Sequence, residues 1–179
     1  LDRIKTEKGP STIILRKPTL EDAEEMISFY NRVGGETDFL SFGRNEYIIA
    51  LNEFKFHLSA VLRSVHSTIV LAEVDGMIIG IGTIDSSSKK RMKHVGTLGI
   101  VVDSVHCNKG VGTSIMKHLI SWAEGNQITR RIELKVREDN ERAIHVYEKF
   151  GFQKEGLLRE DNCINGIYYN TVIMGLLLY

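Results

Sequence analysis

Apolar residues recur along this chain with two periods, and the changes from one to the other mark its elements. Thr12–Arg16 (TIILR) reads as a first strand, after a polar start over residues 1–11 that is expected to be mobile. Pro18-Thr19 ends it, and Thr19 or Asp22 is placed to cap a helix whose stripe is Ala23, Met26, Ile27, Tyr30 and Val33. Gly34-Gly35 stops that helix. Residues 36–46 show neither period and carry Phe39, Leu40 and Phe42 among polar residues. Such aromatics on a loop either form a binding wall or tuck onto the domain as a small satellite core. A second helix is predicted over 48–64, with Leu51, Phe54, Leu58, Val61 and Leu62 facing inward.

Period two then takes over. Thr68–Val74 and Met77–Asp85 are strands joined by Asp75-Gly76, a tight hairpin dipeptide. His94–Val102 is the next strand; its Gly96 and Gly99 are residues that mark a bulge or the close approach of a ligand. The helix from Gly110 repeats Val111, Ile115, Leu119 and Ala123, with Met116 and Ile120 beside them, and stops near Gly125-Asn126. Arg131–Arg137 alternates Ile132, Leu134 and Val136 with charged residues. Asn140 opens a short helix bearing Ala143, Ile144, Tyr147 and Phe150 on one face, which Gly151 closes. Phe152–Leu158 and Tyr168–Leu178 are the last strands, joined through Asn165-Gly166. The apolar tail Val172–Leu178 is suited either to the middle of the sheet or to a dimer interface. The order is strand, two helices, three strands, helix, strand, helix, two strands. It predicts an α+β fold in one domain, a mixed central sheet of about six to seven strands flanked by about four helices.

The junction of Leu98–Val102 with the helix from Gly110 carries candidate chemistry. Glycines at 110 and 112 strip side chains from the start of a helix, where N–H groups lack internal partners and the helix dipole adds partial positive charge. Strand, glycine turn and helix start form an anion cradle, and phosphate is its commonest guest; a tight turn without a ligand is the plainer alternative. A nucleotide P-loop is excluded because Lys109 precedes Gly110 and Thr113 follows Gly112. A dinucleotide fingerprint is excluded because Ile115 stands where the third glycine belongs.

Composition narrows the classes. The chain has 179 residues, enough for one domain with a substantial core. Its 23 basic and 23 acidic residues cancel, which gives no electrostatic case for nucleic acid or an anionic membrane. Cys107 and Cys163 are far apart, with no ligand-spaced histidines, so neither a metal site nor a disulfide scaffold is expected, and a reducing cytoplasm fits best. No apolar run reaches the ~20 residues of a spanning helix. The run Ser86–Arg91 reads as a solvated hairpin loop.

Two motifs together resemble the GNAT superfamily of acetyl-CoA-dependent N-acetyltransferases. Cys107-Asn108-Lys109-Gly110-Val111-Gly112 is similar to its pyrophosphate loop [QR]-x-x-G-x-[GA], with Cys107 departing from the usual Gln or Arg. About thirty residues on, Asn140-x-x-Ala143-x-x-x-Tyr147-x-Lys149-x-Gly151-Phe152 resembles the pattern N-x-x-A-x-x-x-Y-x-k-x-G-F. The resemblance covers nearly the whole chain and implies one acyl-CoA-dependent N-acetyltransferase domain over 1–179.

It also implies a site. Two central parallel strands splay apart in that family, and the coenzyme A arm lies between them. The backbone of Ile100, Val101 and Val102 would pair with the pantetheine amides as an added strand does. Cys107, Asn108, Lys109, Gly110, Val111, Gly112 and Thr113 would hold the pyrophosphate. Asn140, Ala143 and Tyr147 complete the cofactor-binding set, and Cys107 is either a reactive thiol or an inert small residue. The implied reaction is direct attack of a primary amine, of a small molecule or peptide, on the thioester in a ternary complex. Tyr147 falls at the family's acid position and would protonate the leaving sulfur; packing on the apolar stripe is its plainer role. Many relatives carry a glutamate base where this chain has Thr97, so Glu73 and His94 on neighbouring strands are candidates. Tyr30, Phe39, Phe42, Glu73 and Tyr168, with Tyr169, are candidates for the acceptor pocket, and Glu36 and Asp38 hint faintly at a polycation. A homodimer is compatible with this reading. A non-catalytic acyl-CoA sensor on the same fold is the alternative supported by Thr97; an unrelated interaction domain predicts no coenzyme A binding.

Overall fold

A computed structural model describes residues 2–5 and 12–179. In chain order the elements are β1 (Asp2–Lys5), β2 (Thr12–Arg16), α1 (Ala23–Val33), α2 (Leu51–Leu62), β3 (Thr68–Val74), β4 (Met77–Ser86), β5 (Val95–Val102), α3 (Val111–Gly125), β6 (Arg131–Arg137), α4 (Glu141–Lys149), β7 (Gln153–Ile164) and β8 (Ile167–Leu177). All eight strands share one mixed sheet in the order β1-β2-β3-β4-β5-β6-β8-β7. Seven of them are the strands expected from the sequence. The eighth, β1, comes from the polar start and pairs antiparallel with β2; residues 1 and 6–11 of the expected mobile stretch lie outside the described residues. No helix among the described residues is long and apolar enough to cross a membrane.

Each face of the sheet has its own core. One face packs on α3 and α4 through Leu98, Ile115, Leu119, Ile132, Leu134 and Phe152. The other packs on α1 and α2 through Met26, Phe29, Phe54, Leu58, Leu71 and Ile81. Helix α3 lies close on β4 because Gly82 has no side chain: a Cβ there would strike Ile115 Cγ2 and come within 3.0 Å of Leu119 Cδ1. The α3 stripe Val111, Ile115, Leu119 and Ala123 is buried as its spacing predicts.

Several boundaries differ from the sequence reading. Helix α2 spans Leu51–Leu62, inside the expected 48–64, and Ile48 is 90% exposed. Helix α1 buries Phe29, absent from the predicted stripe. Asn126 keeps right-handed backbone (φ −79°) while Gln127 takes the left-handed turn (φ 57°). The Asn126 side-chain oxygen accepts from the N–H groups of Ile128 and Thr129, which turns the chain into β6. Strand β8 lies between β6 and β7, so the apolar Val172–Leu177 stretch is central rather than at an edge. The β7–β8 hairpin is longer than predicted, with register shifts between Lys154 and Gly156 and between Leu158 and Asn162.

Candidate active site

Strand β5 belongs to two partnerships of unequal length. It pairs antiparallel with β4 along its whole course, from Ser86↔Gly96 to Gly80↔Val102. It pairs parallel with β6 at Val95↔Arg131, Gly96↔Ile132 and Thr97↔Glu133, and there the pairing stops. Beyond this point β6 continues with β8 alone, from Leu134↔Met174 to Arg137↔Thr171. Leu98–Val102 and Leu134–Arg137 therefore border a wedge, with β5 backbone groups on that side free to pair with an inserted chain.

The start of α3 closes the wide end. Asp103, buried at 4%, anchors the turn after β5: its Oδ1 accepts from His106 N–H at 2.9 Å and lies 2.7 Å from His106 Nδ1. Asn108 (φ 69°) and Gly110 (φ 84°) have left-handed backbone, and for Gly110 the lack of a Cβ makes that conformation accessible. A Cβ at Gly110 would meet nothing within 4 Å, and one at Gly112 only Val102 Cγ2 at 3.8 Å. The first helical bond is Ser114 N–H to Gly110 O at 2.9 Å. The N–H groups of Val111, Gly112 and Thr113 precede it and have no carbonyl partner within the helix, the arrangement of an anion cradle.

Helix α4 supplies the other wall. Asn140 caps it, its side-chain oxygen accepting from Ala143 N–H at 3.2 Å. The Tyr147 ring packs 5.9 Å from Phe152, and its hydroxyl has no hydrogen-bond partner among the described residues. Burial pushes the phenol above its ordinary range, so it stays protonated at neutral pH. Burial also raises the Cys107 thiol; Arg142 opposes this, and Asp103 and Glu36 add to it. The net rise gives the thiol no activation toward the thiolate. Arg142 brings a cation to the loop where the GNAT-like motif lacks Gln or Arg. Sequence reasoning missed it because it comes from α4, 35 positions along the chain.

The face beneath α1 and α2 gathers some acceptor candidates and disperses others. Tyr30 packs against Tyr47 (4.6 Å between centroids) and Phe42 (6.0 Å), and burial raises its pKa. With Tyr47, Phe54, His57, Thr83 and Asp85 it lines a pocket of about 240 Å³. Phe39 instead lies against the Arg137 guanidinium at 5.0 Å, and the Tyr169 ring stacks on the same group at 3.7 Å. Arg137 is a second residue the sequence did not single out. It is 7% exposed, is bidentate to Asp139 at 2.9 and 2.6 Å, and donates to the Asp38 carbonyl at 2.7 Å, fastening the 36–46 loop to β6. The Asp139 hydrogen bond raises the Arg137 pKa, and Arg137 lowers that of Asp139. Tyr168 is 61% exposed on the outer hairpin.

Glu73 does not join the site. It is buried on β3 and bonded by Arg16 Nε at 2.9 Å, in a cluster with Asp22, which is fully occupied in holding β2 to the turn before α1. His94 sits at the closed end of the β5–β6 wedge, its carbonyl accepting from Arg130 and Arg131 N–H. Glu36 is bound by Arg32 at 3.0 Å and by Ser104 N–H at 2.8 Å, which leaves it little capacity to attract a polycation.

Comparison with known proteins follows this geometry. A sequence profile described as "Acetyltransferase (GNAT) family" matches residues 36–152. The chain belongs to the GNAT acetyltransferase family. A GNAT-family acetyltransferase structure from Streptococcus pneumoniae superposes with a TM-score of 0.89 at 32% identity, over 93% of this chain and 99% of that one. A GNAT phosphinothricin acetyltransferase from Sinorhizobium meliloti, in complex with acetyl-CoA, shares the fold at a TM-score of 0.80 and 15% identity, covering 93% and 88%. The L-amino acid N-acetyltransferase AaaT of Escherichia coli is 38% identical over 105 residues, 59% of this chain and 65% of its own. The shared stretch thus spans just under two thirds of that relative's length. The GNAT fold explains why the wedge and the α3 cradle occur together.

Proposed function

We propose that this GNAT protein transfers the acetyl group of acetyl-CoA to a primary amine by direct attack in a ternary complex. One observation carries the reading: β5 and β6 part after Thr97↔Glu133, and the glycine-stripped start of α3 lies at the wide end of the resulting wedge. The residues fit the co-substrate. Ile100 and Val102 turn their backbone groups toward the wedge and would meet the pantetheine amides, whereas Val101, opposite Ile81, turns its own toward β4 and is left out of this set. Asn108 to Thr113 offer N–H groups to the pyrophosphate, with Lys109 and Arg142 adding positive charge. The Asn140 side-chain amide keeps donors to spare after capping α4. Bound acetyl-CoA supplies an activated thioester carbonyl. Tyr147, a protonated phenol without a hydrogen-bond partner among the described residues, holds a proton for the departing sulfur.

The test is a heat scan with acetyl-CoA, coenzyme A and ATP, followed by thiol release with a panel of amines. Acetyl-CoA is expected to raise the unfolding temperature, because a ligand that binds only the native state stabilises it by mass action. ATP is expected to do so far less. Absence of a shift at millimolar acetyl-CoA overturns the proposal; a shift without turnover of any amine leaves a non-catalytic acyl-CoA sensor. Cys107 and Cys163 are both free and exposed, which supports a reducing compartment such as the cytoplasm.

A further inference from the structure

Thr97 stands at the last paired position before the wedge opens and cannot accept a proton from an ammonium group. Its neighbour on β4 can. Asp85 is directly opposite Thr97 in the antiparallel β4–β5 register, and Thr83 is opposite Gly99. Directly opposed residues share a face with Cβ atoms ~5 Å apart. Here the face is that of Ile81 and Val101, which meets α1 and α2. Asp85 is exposed and accepts one hydrogen bond, from Ser67 Oγ at 3.2 Å, so it keeps capacity for a cation. It also stands among the residues lining the pocket of about 240 Å³. That volume has room for ~8 water-sized groups. The pocket is walled chiefly by Met26, Tyr30, Tyr47, Phe54 and Leu58. Among its described lining residues Asp85 is the one carboxylate, and there is no lysine or arginine. A Cβ at Gly99 would clash with Thr83 Oγ1 at 2.8 Å and meet no other atom within 4 Å, so the glycine lets the Thr83 hydroxyl, a pocket-lining group, lie directly against β5 where the wedge begins.

We infer that Asp85 binds and deprotonates the acceptor ammonium, and that the pocket beneath α2 takes the apolar group of an alkyl or arylalkyl monoamine. A polyamine would need further carboxylates, and a free amino acid a fixed cation for its carboxylate; the pocket lining offers neither. The inference rests on the acetyltransferase reading and deepens it. The ammonium gives one proton to the Asp85 carboxylate, which passes it to solvent. The nitrogen–carbon bond to the acetyl group forms and the carbon–sulfur bond breaks, the electron pair leaving with sulfur. The thiolate takes the Tyr147 proton, and the second proton shed by nitrogen restores the phenol through solvent.

The experiment compares wild type, Asp85→Asn and Glu133→Gln with phenethylamine, spermidine and phenylalanine. Glu133 is the β6 neighbour of Thr97, held by Arg131 at 3.4 Å, and serves as the control carboxylate. Phenethylamine is expected to be turned over with the highest kcat/KM. Asp85→Asn is expected to lower kcat at pH 7 at least ~100-fold, and Glu133→Gln less than ~3-fold. A second readout is the extra thermal shift that phenethylamine gives to the coenzyme A complex, which Asp85→Asn should abolish. An unchanged acetyl-CoA shift in Asp85→Asn shows that the variant folds and that the family reading stands. Should that variant keep kcat within threefold or keep the amine-dependent shift, the inference is overturned. Preference for spermidine or phenylalanine, or turnover of none of the three, overturns it too. Loss of the acetyl-CoA shift in the wild type refutes the underlying reading instead.

Discussion

Gly110 and Gly112 sit two residues apart at the start of α3, yet replacing each with alanine is expected to move stability in opposite directions. Gly110 has φ 84°, and a Cβ built there meets nothing within 4 Å. The cost of Gly110→Ala is therefore conformational alone, about 1–2 kcal/mol for a side chain in the left-handed region. Gly112 is within α3, outside the left-handed region, and its Cβ would make an ordinary 3.8 Å contact with Val102. Alanine is a better helix former than glycine by up to about 1 kcal/mol, so Gly112→Ala is expected to stabilise the ligand-free protein. For a chain of this size, ~1 kcal/mol corresponds to a shift of ~2–4 °C in Tm.

Both substitutions add a methyl group at the α3 start proposed to hold the pyrophosphate, so both are expected to weaken acetyl-CoA binding, about tenfold. At a concentration 100 times the wild-type Kd, the ligand stabilises the wild type by ~2.7 kcal/mol and a tenfold weaker variant by ~1.4 kcal/mol. A heat scan of the three proteins with and without acetyl-CoA reads both effects. Gly112→Ala is the decisive variant, because a protein that gains stability alone and loses ligand response cannot be dismissed as misfolded. If it is more stable and keeps the full acetyl-CoA shift, the phosphates do not rest on the α3 start. If Gly110→Ala is as stable as wild type, the conformational argument for that glycine fails.

Further expectations concern single side chains. Tyr147→Phe should lower kcat by ~100-fold; because the hydroxyl has no partner among the described residues, stability should change by less than ~0.5 kcal/mol, read by steady-state kinetics beside a heat scan. Arg142→Ala should weaken acetyl-CoA several-fold at low salt and much less at high salt, since the cation is on an exposed first turn and its field is screened; titration calorimetry at two ionic strengths checks this. Arg137→Ala releases Asp139 and the Asp38 carbonyl and should cost about 1–2 kcal/mol, the carboxylate being half exposed. It should raise the KM for amine while leaving acetyl-CoA affinity unchanged. Asp22 is held down to about 2 by Arg16, from an ordinary 3.8. A depressed carboxylate stabilises the fold above its unfolded pKa and loses that contribution as pH falls through its folded value. About 1–2 kcal/mol should therefore be lost between pH ~4 and ~2, seen in denaturation midpoints and suppressed in Asp22→Asn.

The glycine-stripped helix start beside the wedge was legible in the sequence because its geometry is local. A strand, a glycine turn and a helix start occupy consecutive residues, so their spacing prescribes the cradle before any fold is known. The same holds for Asn140 and Tyr147, cap and phenol of one short helix. The helices and hairpins followed from period and turn chemistry: Asp75-Gly76 and Asn165-Gly166 both take positive φ at both turn positions, as their dipeptides predict. The details that failed are those tertiary contacts decide. Phe29 is buried because α2 crosses α1, and β1 forms because β2 offers a partner edge.

The acceptor side proposed above was illegible for a related reason. Its groups lie on different strands and meet only through register. Glu73 looked available as an isolated carboxylate on a strand, but pairing of β2 with β3 puts it beside Arg16. Asp85 lies near the end of its strand with no motif around it, yet the β4–β5 pairing sets it opposite Thr97, where this chain lacks the carboxylate implied by the family resemblance. Arg142, from α4, likewise brings a positive charge near Cys107, where the motif lacks its usual Gln or Arg. In both places a charge missing at the expected position of the motif has a counterpart on an adjacent element. A one-residue slip of β4 against β5 would turn Asp85 to the opposite face and remove this complement. The register of the central strands, more than the identity of any one motif residue, therefore determines which carboxylate an incoming amine meets.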